Sequence, residues 1–175
     1  MVLWLTGLSG SGKTTLADAL HALLKPRFPE LVMFDGDQVR AAFGDGLGHT
    51  QRERVIQVTR VQRLAKLLSD QGLKVIVALV YQDEALLAWN RGNIDDYFEI
   101  HVDCSLDTVK ERDAKGLYRA FERGETKHLV GCDIPWTPPE RPDFVVDGDD
   151  PADPVELAAD IIRSVPQLAN EDGKN

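Results

Sequence analysis

Along the chain, short apolar runs alternate with longer segments whose apolar positions recur every three or four residues. Val2-Leu3-Trp4-Leu5 and Leu31-Val32-Met33-Phe34 read as buried strands. Lys74-Val75-Ile76-Val77-Ala78-Leu79-Val80 is the most strand-like run and suits a central parallel strand covered on both faces. Tyr97 to Asp103 and Phe144-Val145-Val146 supply a fourth and a fifth strand. Helical spacing places Leu16, Leu20, Leu23 and Leu24 on one face of a first helix. It also runs through Val55, Val58, Val61, Leu64, Ala65 and Leu68, predicting a long helix from about Gln51 to Asp70 with Thr50 as its N-cap. Shorter helices are expected over Gln38 to Phe43, Glu84 to Asn90 and Leu106 to Arg112, and a closing one over Val155 to Val165 with Pro154 in its first turn. This order predicts an α/β protein: a five-stranded parallel sheet with helices on both faces.

Residues 113–142 break the rhythm. They are rich in Gly, Pro, Lys and Arg, show no clear period, and read as a mobile lid with some helix. Residues 170–175 form a polar tail, expected to fray. With 175 residues, no internal repeat and no second composition, the chain reads as one domain spanning 1–169.

Charge narrows the function. A formal net charge of −9 argues against a nucleic-acid polymer or an anionic membrane as the primary partner. The charge is uneven, with a basic stretch over 38–66 and an acidic one over 133–175, which suits a small anionic substrate. Cys104 and Cys132 make no metal or redox motif and read as buried or incidental thiols of a reducing compartment. There is no basic leader before the first strand, and no apolar run approaches membrane-spanning length, so a cytoplasmic location is expected.

The first strand opens into Gly7-Leu8-Ser9-Gly10-Ser11-Gly12-Lys13-Thr14, which fits G-x-x-x-x-G-K-[ST] at every fixed position. Glycines let backbone N–H groups curl round a phosphate, and the helix that follows adds its dipole. Gly10, Ser11, Gly12, Lys13, Thr14 and Thr15 are therefore expected to bind a nucleoside triphosphate, Lys13 through its charge and Thr14 through a hydroxyl on Mg²⁺. A glycine-rich turn that merely caps a helix is the bland alternative, and the strand–loop–helix order argues against it.

Ligands of open α/β sheets bind beyond the carboxyl ends of the strands, where Asp35-Gly36-Asp37 and Val80-Tyr81-Gln82 are expected. Asp35 is positioned to organise Mg²⁺ or to take a proton from an attacking hydroxyl. As a structural alternative, Asp37 caps the helix that follows. Arg40 and Arg54 are candidates for clamping an anionic acceptor, whereas Arg60, Arg63 and Lys66 read as a solvated helix face. Arg112 and Lys115 are cations expected to close over the triphosphate, and His21 and His101 read as structural or surface groups. No [NT]-K-x-D guanine-reading segment is present, so a small-molecule kinase is favoured over a nucleotide-dependent switch or regulatory binder.

Taken together, Gly7 to Thr14, Phe34-Asp35-Gly36-Asp37-Gln38-Val39-Arg40 and Arg112-Asp113-Ala114-Lys115-Gly116-Leu117-Tyr118 resemble the adenylylsulfate (APS) kinase family, in that order and over about Leu3 to Val146. The resemblance implies a P-loop nucleotide-kinase-like three-layer fold with a lid, a homodimer, and transfer of phosphate from MgATP to the 3′-hydroxyl of APS. It implies Lys13 and Asp35 as catalytic residues, with Thr14 and Asp35 at the metal. It implies Arg112 and Lys115 as nucleotide contacts, and Asp37, Arg40, His49, Arg54, Gln57, Val80, Tyr81, Lys115, Leu117 and Leu129 as acceptor contacts.

Departures concentrate in the acceptor half. Two phenylalanines that sandwich the APS adenine in the family correspond here to His49 and Leu129, and an asparagine of the long helix to Gln57. An I-S-P segment becomes Val80-Tyr81-Gln82, and the arginines that often follow it become Asp83-Glu84-Ala85. Base stacking on an aromatic side chain contributes about 1–3 kcal/mol, so the loss of one face weakens the hold on adenine. This pattern is similar to relatives in surface-polysaccharide pathways, including cytidine diphosphoramidate kinases, and makes a cytidine nucleotide the alternative acceptor.

Overall fold

The computed structural model describes residues 1–44, 46–81, 83–149 and 153–169; the polar tail expected over 170–175 lies outside them. Five strands, β1 (Val2–Thr6), β2 (Val32–Asp35), β3 (Val75–Ala78), β4 (Tyr97–Asp103) and β5 (Phe144–Asp147), form one parallel sheet in the order β2-β3-β1-β4-β5. Its register sets Leu3 beside Ile76 and Phe98, and Leu5 beside Ala78 and Ile100.

Alternation along β1 divides the core. Val2 and Trp4 face one side with Val75 and Val77, while Leu3 and Leu5 face the other with Ile76 and Ile100. The first side is covered by α3 (Gln51–Asp70) and α4 (Glu84–Asn93), the second by α1 (Lys13–Leu24) and α7 (Pro154–Ser164). Full burial of a Leu or Ile contributes roughly 1.5–3 kcal/mol, so residues such as Leu3, Leu5, Leu20 and Ile100 tie the helices to the sheet. Leu23 departs from expectation at 37% exposure. The buried arc of α1 centres on Ala17, Leu20 and Leu24, and Leu23 lies on its shoulder.

Helix starts are chemically marked. At α3, Thr50 accepts from Glu53 N while Glu53 reaches back to Thr50 N, a complete capping box. Hydrogen bonds from the Thr50 hydroxyl, Gly48 N and Thr50 N pull the Glu53 carboxyl pKa down to about 2. Asp83, Ser105 and Asp153 cap α4, α5 (Leu106–Arg112) and α7. The third strand is shorter than its apolar run: Leu79, Val80 and Tyr81 leave the sheet and turn toward a cavity. In the aperiodic stretch after α5 the chain forms α6 (Leu117–Glu122) and a small Val130–Ile134 bridge before β5. The remaining helices are α2 (Gly36–Phe43) and α8 (Pro166–Ala169).

One polar chain crosses the core between α3, α4 and β4. Gln62 Nε2 donates to Leu86 O and Asn90 Oδ1, Asn90 Nδ2 to the Tyr97 hydroxyl, and that hydroxyl to Glu99 Oε2. Glu99 is 1% exposed and also meets Arg91 at 3.5 Å. Each polar atom named has a partner, as burial requires. Among the described residues no helix is long and apolar enough to cross a membrane.

Candidate active site

At the carboxyl ends of β1, β2 and β3 opens a cavity of about 460 Å³. One wall is the phosphate loop and the start of α1; another is the β2–α2 junction; the far side is built from the N-terminal part of α3, residues 78–81, and the segments 113–118 and 126–130.

The loop is shaped for an anion. A side chain at Gly7 would place its Cβ 2.5 Å from Val102 O, so the loop leaves the sheet too tightly for any other residue. Gly12, at φ 100°, is the N-cap of α1 and supplies no side-chain cap. First-turn N–H groups of this 12-residue helix therefore point at the cavity mouth without a side-chain acceptor.

Lys13 is folded beneath this loop and 6% exposed, its Nζ donating to Leu8 O at 2.6 Å and to Ser11 Oγ at 3.4 Å. Burial, reinforced by the nearby Lys115 charge and opposed by Asp35, pulls its pKa down to about 7. A phosphate arriving beside it favours the ammonium, so triphosphate binding above pH 7 draws in a proton. At pH 8 the unliganded lysine is about one-tenth protonated, and close to one proton should be taken up per nucleotide bound, measured by calorimetry in buffers of differing ionisation enthalpy. Uptake should fall toward zero at pH 6 and vanish in Lys13→Ala; equal uptake in that variant would assign the proton to another group.

Asp35 joins the two halves of the site. Its Oδ2 accepts from Thr14 Oγ1 at 3.0 Å, and its Oδ1 accepts from Asp37 N at 2.9 Å, capping α2. The cap of this helix is thus Asp35; Asp37, the capping alternative, instead lies in the first turn with its carboxylate in a 2.6 Å ion pair to Lys115 Nζ. Thr14 Oγ and the Asp35 carboxylate are hard oxygen donors in contact, chemistry that fits Mg²⁺.

Across the cavity from the phosphate loop, where an acceptor is expected, the arginines are committed to backbone. Arg40 Nη1 donates to Gly48 O at 3.0 Å and more loosely to Leu47 O. Arg54 donates from Nε to His49 O and from Nη2 to His128 O, at 2.9 and 2.8 Å. His49 is held below the ordinary imidazole pKa by partial burial and then by these two guanidinium groups. Gln57 is 3% exposed and lines the cavity, and its Nε2 is buried without a hydrogen-bond partner. Such a donor costs about 1–3 kcal/mol until something accepts from it.

Of the residues singled out in the sequence, the cavity gathers Gly10, Lys13, Thr14, Thr15, Asp35, Asp37, Arg40, His49, Arg54, Gln57, Val80, Tyr81, Lys115, Leu117 and Leu129. Ser11, Gly12 and Arg112 are not in its lining. Arg112, expected over the triphosphate, donates to Gly148 O at 2.8 Å beside Cys104, on the β4–β5 side of the loop. Arg60 lies over the exposed Phe43 ring and Lys66 pairs with Asp70, away from the cavity. His101 is 4% exposed, 6.2 Å from the Trp136 ring.

Several lining residues carried no role in the sequence reading. The Tyr118 hydroxyl donates to Ser9 O at 2.9 Å, tying α6 to the phosphate loop. Asp113 accepts from Tyr118 N, Arg119 N and Arg119 Nε, bonds that outweigh the effect of its burial and keep its pKa low. Both stand in the Arg112 to Tyr118 motif, which was signal enough to find them. Lys127 and His128 also line the cavity, and no local pattern announces them.

With this geometry in view, the similarities are coherent. The profile described as adenylylsulphate kinase matches residues 1–147. The chain is 40% identical over 147 residues to an adenylyl-sulfate kinase of Pseudomonas entomophila, covering 83% of this chain and 71% of that one. It is 36% identical over 145 residues to the cytidine diphosphoramidate kinase of Campylobacter jejuni, covering 83% and 84%. Among solved structures, a Mycobacterium tuberculosis APS kinase in complex with AMPPNP and APS superposes with a TM-score of 0.80 at 30% identity, over 93% of this chain and 95% of that one. The matching stretch makes up only 25% of a probable bifunctional SAT/APS kinase of Sorangium cellulosum.

Proposed function

The chain belongs to the adenylylsulfate kinase family and is an ATP-dependent kinase, and from that premise we propose that it moves the γ-phosphoryl group of MgATP to a ribose 3′-hydroxyl of a small anionic nucleotide. The observation that carries this reading is the junction at Asp35, where one carboxylate touches the phosphate-loop hydroxyl and caps the helix leading to the acceptor half. Thr14 and Asp35 would hold Mg²⁺, which supplies positive charge to the phosphate oxygens. Lys13 exchanges its bond to Leu8 O for phosphate, and Lys115 is available from its exposed pair with Asp37. Asp35 orients the attacking hydroxyl and accepts its proton. Residues 113–142 act as a lid that excludes water. A homodimer in the cytoplasm is part of the same proposal.

For the acceptor, the pocket favours a cytidine nucleotide over APS. The side chains on offer to a base are the imidazole of His49, the largely buried isobutyl group of Leu129 and Tyr81, which line one cavity together with the unpaired Gln57 donor. One weak aromatic face gives adenine less stacking than two phenylalanines, while a single-ring base needs less. The test is kcat/KM for APS beside cytidine diphosphate derivatives, with and without an amidate group, in wild type and in His49→Phe/Leu129→Phe. APS should be the poorer substrate of the wild type, and the double variant should improve it about tenfold, the equivalent of restoring one stacking face. Efficient use of APS by the wild type, unimproved by the two phenylalanines, would return the acceptor to APS.

A further inference from the structure

The guanidinium of Arg54 spans the two jaws of the acceptor half. From the start of α3 it donates to His49 O on one side and, across 74 positions of sequence, to His128 O on the other. Each jaw is also fixed on its own account. The His49 jaw is held by Arg40 on Gly48 O and by Glu53, which accepts from Gly48 N, Thr50 N and the Thr50 hydroxyl. In the other jaw Asp133 accepts from His128 N at 2.7 Å and Leu129 N at 2.6 Å. His128 stands at φ 64°, a left-handed region uncommon for residues with a Cβ, although histidine is among those that enter it more readily. That backbone conformation turns the His128 carbonyl to Arg54 while Leu129 packs into the core edge at 7% exposure.

We propose that Arg54 is a positioning residue: it staples the His49 and Leu129 jaws at a fixed separation, and so sets the width of the acceptor slot, instead of serving chiefly as an anion clamp. This rests on the reading of the cavity as an acceptor site. Two of its nitrogens are spent on carbonyls of two separate segments, a task for a planar fork with several donors and not for a point charge. Lysine at this position keeps the positive charge and loses the two-way bridge. The two roles therefore separate on one substitution.

The experiment compares wild type with Arg54→Lys by amide hydrogen exchange on the free protein and by steady-state kinetics with the best acceptor. Stapling predicts that in Arg54→Lys both segments, 47–50 and 126–130, exchange at least about tenfold faster, with the strands of the sheet unchanged. It further predicts that KM for the acceptor rises about tenfold or more while KM for ATP moves less than about twofold. Unchanged exchange overturns the proposal: with acceptor KM retained, Arg54 acts as a charge alone, and with KM raised, by direct contact. Faster exchange with unchanged acceptor KM overturns it as well. If Arg54→Lys does not fold, Arg54→Gln is read the same way, and loss of fold in both overturns the proposal by making Arg54 a core residue. The exchange arm needs no turnover, so it decides the staple even if no acceptor in a panel is phosphorylated, an outcome that would instead refute the kinase acceptor reading.

Discussion

Lys13→Ala removes phosphoryl transfer and leaves the fold standing. Loss of a preorganised charge aimed at the transferring group lowers kcat/KM by at least about 10³-fold, or roughly 4 kcal/mol of transition-state stabilisation. The fold survives for a specific reason. Lys13 Nζ bonds to Leu8 O, but Ser11 N also donates to that carbonyl at 3.2 Å, so truncation orphans no buried acceptor. The sign of the titration agrees. A lysine whose folded pKa is pulled down to about 7 makes the folded state less stable wherever the unfolded lysine is charged, that is, at every pH below its ordinary 10.5. Alanine removes that penalty, so thermal unfolding at pH 7 should be unchanged or shifted upward. Near-normal turnover in Lys13→Ala would refute the phosphate-loop assignment.

Asp35→Asn has its effect on turnover and not on nucleotide affinity. Asparagine keeps an oxygen to accept from Asp37 N and an amide that Thr14 Oγ can accept from, so α2 keeps its cap and the junction its shape. What disappears is the charge. We expect kcat to fall about 10²- to 10⁴-fold, the range for a lost general base, with the Kd for ATP changed less than about threefold. Single-turnover kinetics beside a direct nucleotide-binding titration separate the two effects. A variant that only bound ATP more weakly would leave Asp35 as an organiser of the metal and nothing more.

The parts of this site that the sequence announces are those whose causes are local. A glycine loop between an apolar strand and an amphipathic helix needs little tertiary knowledge, because Gly10 and Gly12 are required by their positive φ within that loop. The two faces of β1 follow from simple alternation, and the Thr50–Glu53 capping box from two residues three apart. Other features depend on contacts made at a distance. That Asp35 and not Asp37 caps α2 turns on the helix starting at Gly36, two residues before the expected Gln38. Arg112 stands in a recognisable motif, yet its direction is set by Gly148, 36 positions on. His128 takes a left-handed conformation that histidine adopts more readily than most residues but seldom, and its partners there, Asp133 and Arg54, lie 5 and 74 positions away. Function is legible at the phosphate loop because phosphate is recognised by backbone, whereas the rest of the cavity, where the acceptor is expected, is assembled from side chains on five separate segments.

The most direct test of the central claim is the fate of the γ-phosphoryl group. The purified chain is given ATP labelled in the γ-phosphate together with Mg²⁺ and a nucleotide acceptor, and products are separated. Label should become covalently attached to the acceptor, at its 3′-hydroxyl, and this transfer should depend on Lys13 and Asp35. Label recovered only as inorganic phosphate, or retained in ATP across a panel of adenine and cytosine nucleotides, would contradict it.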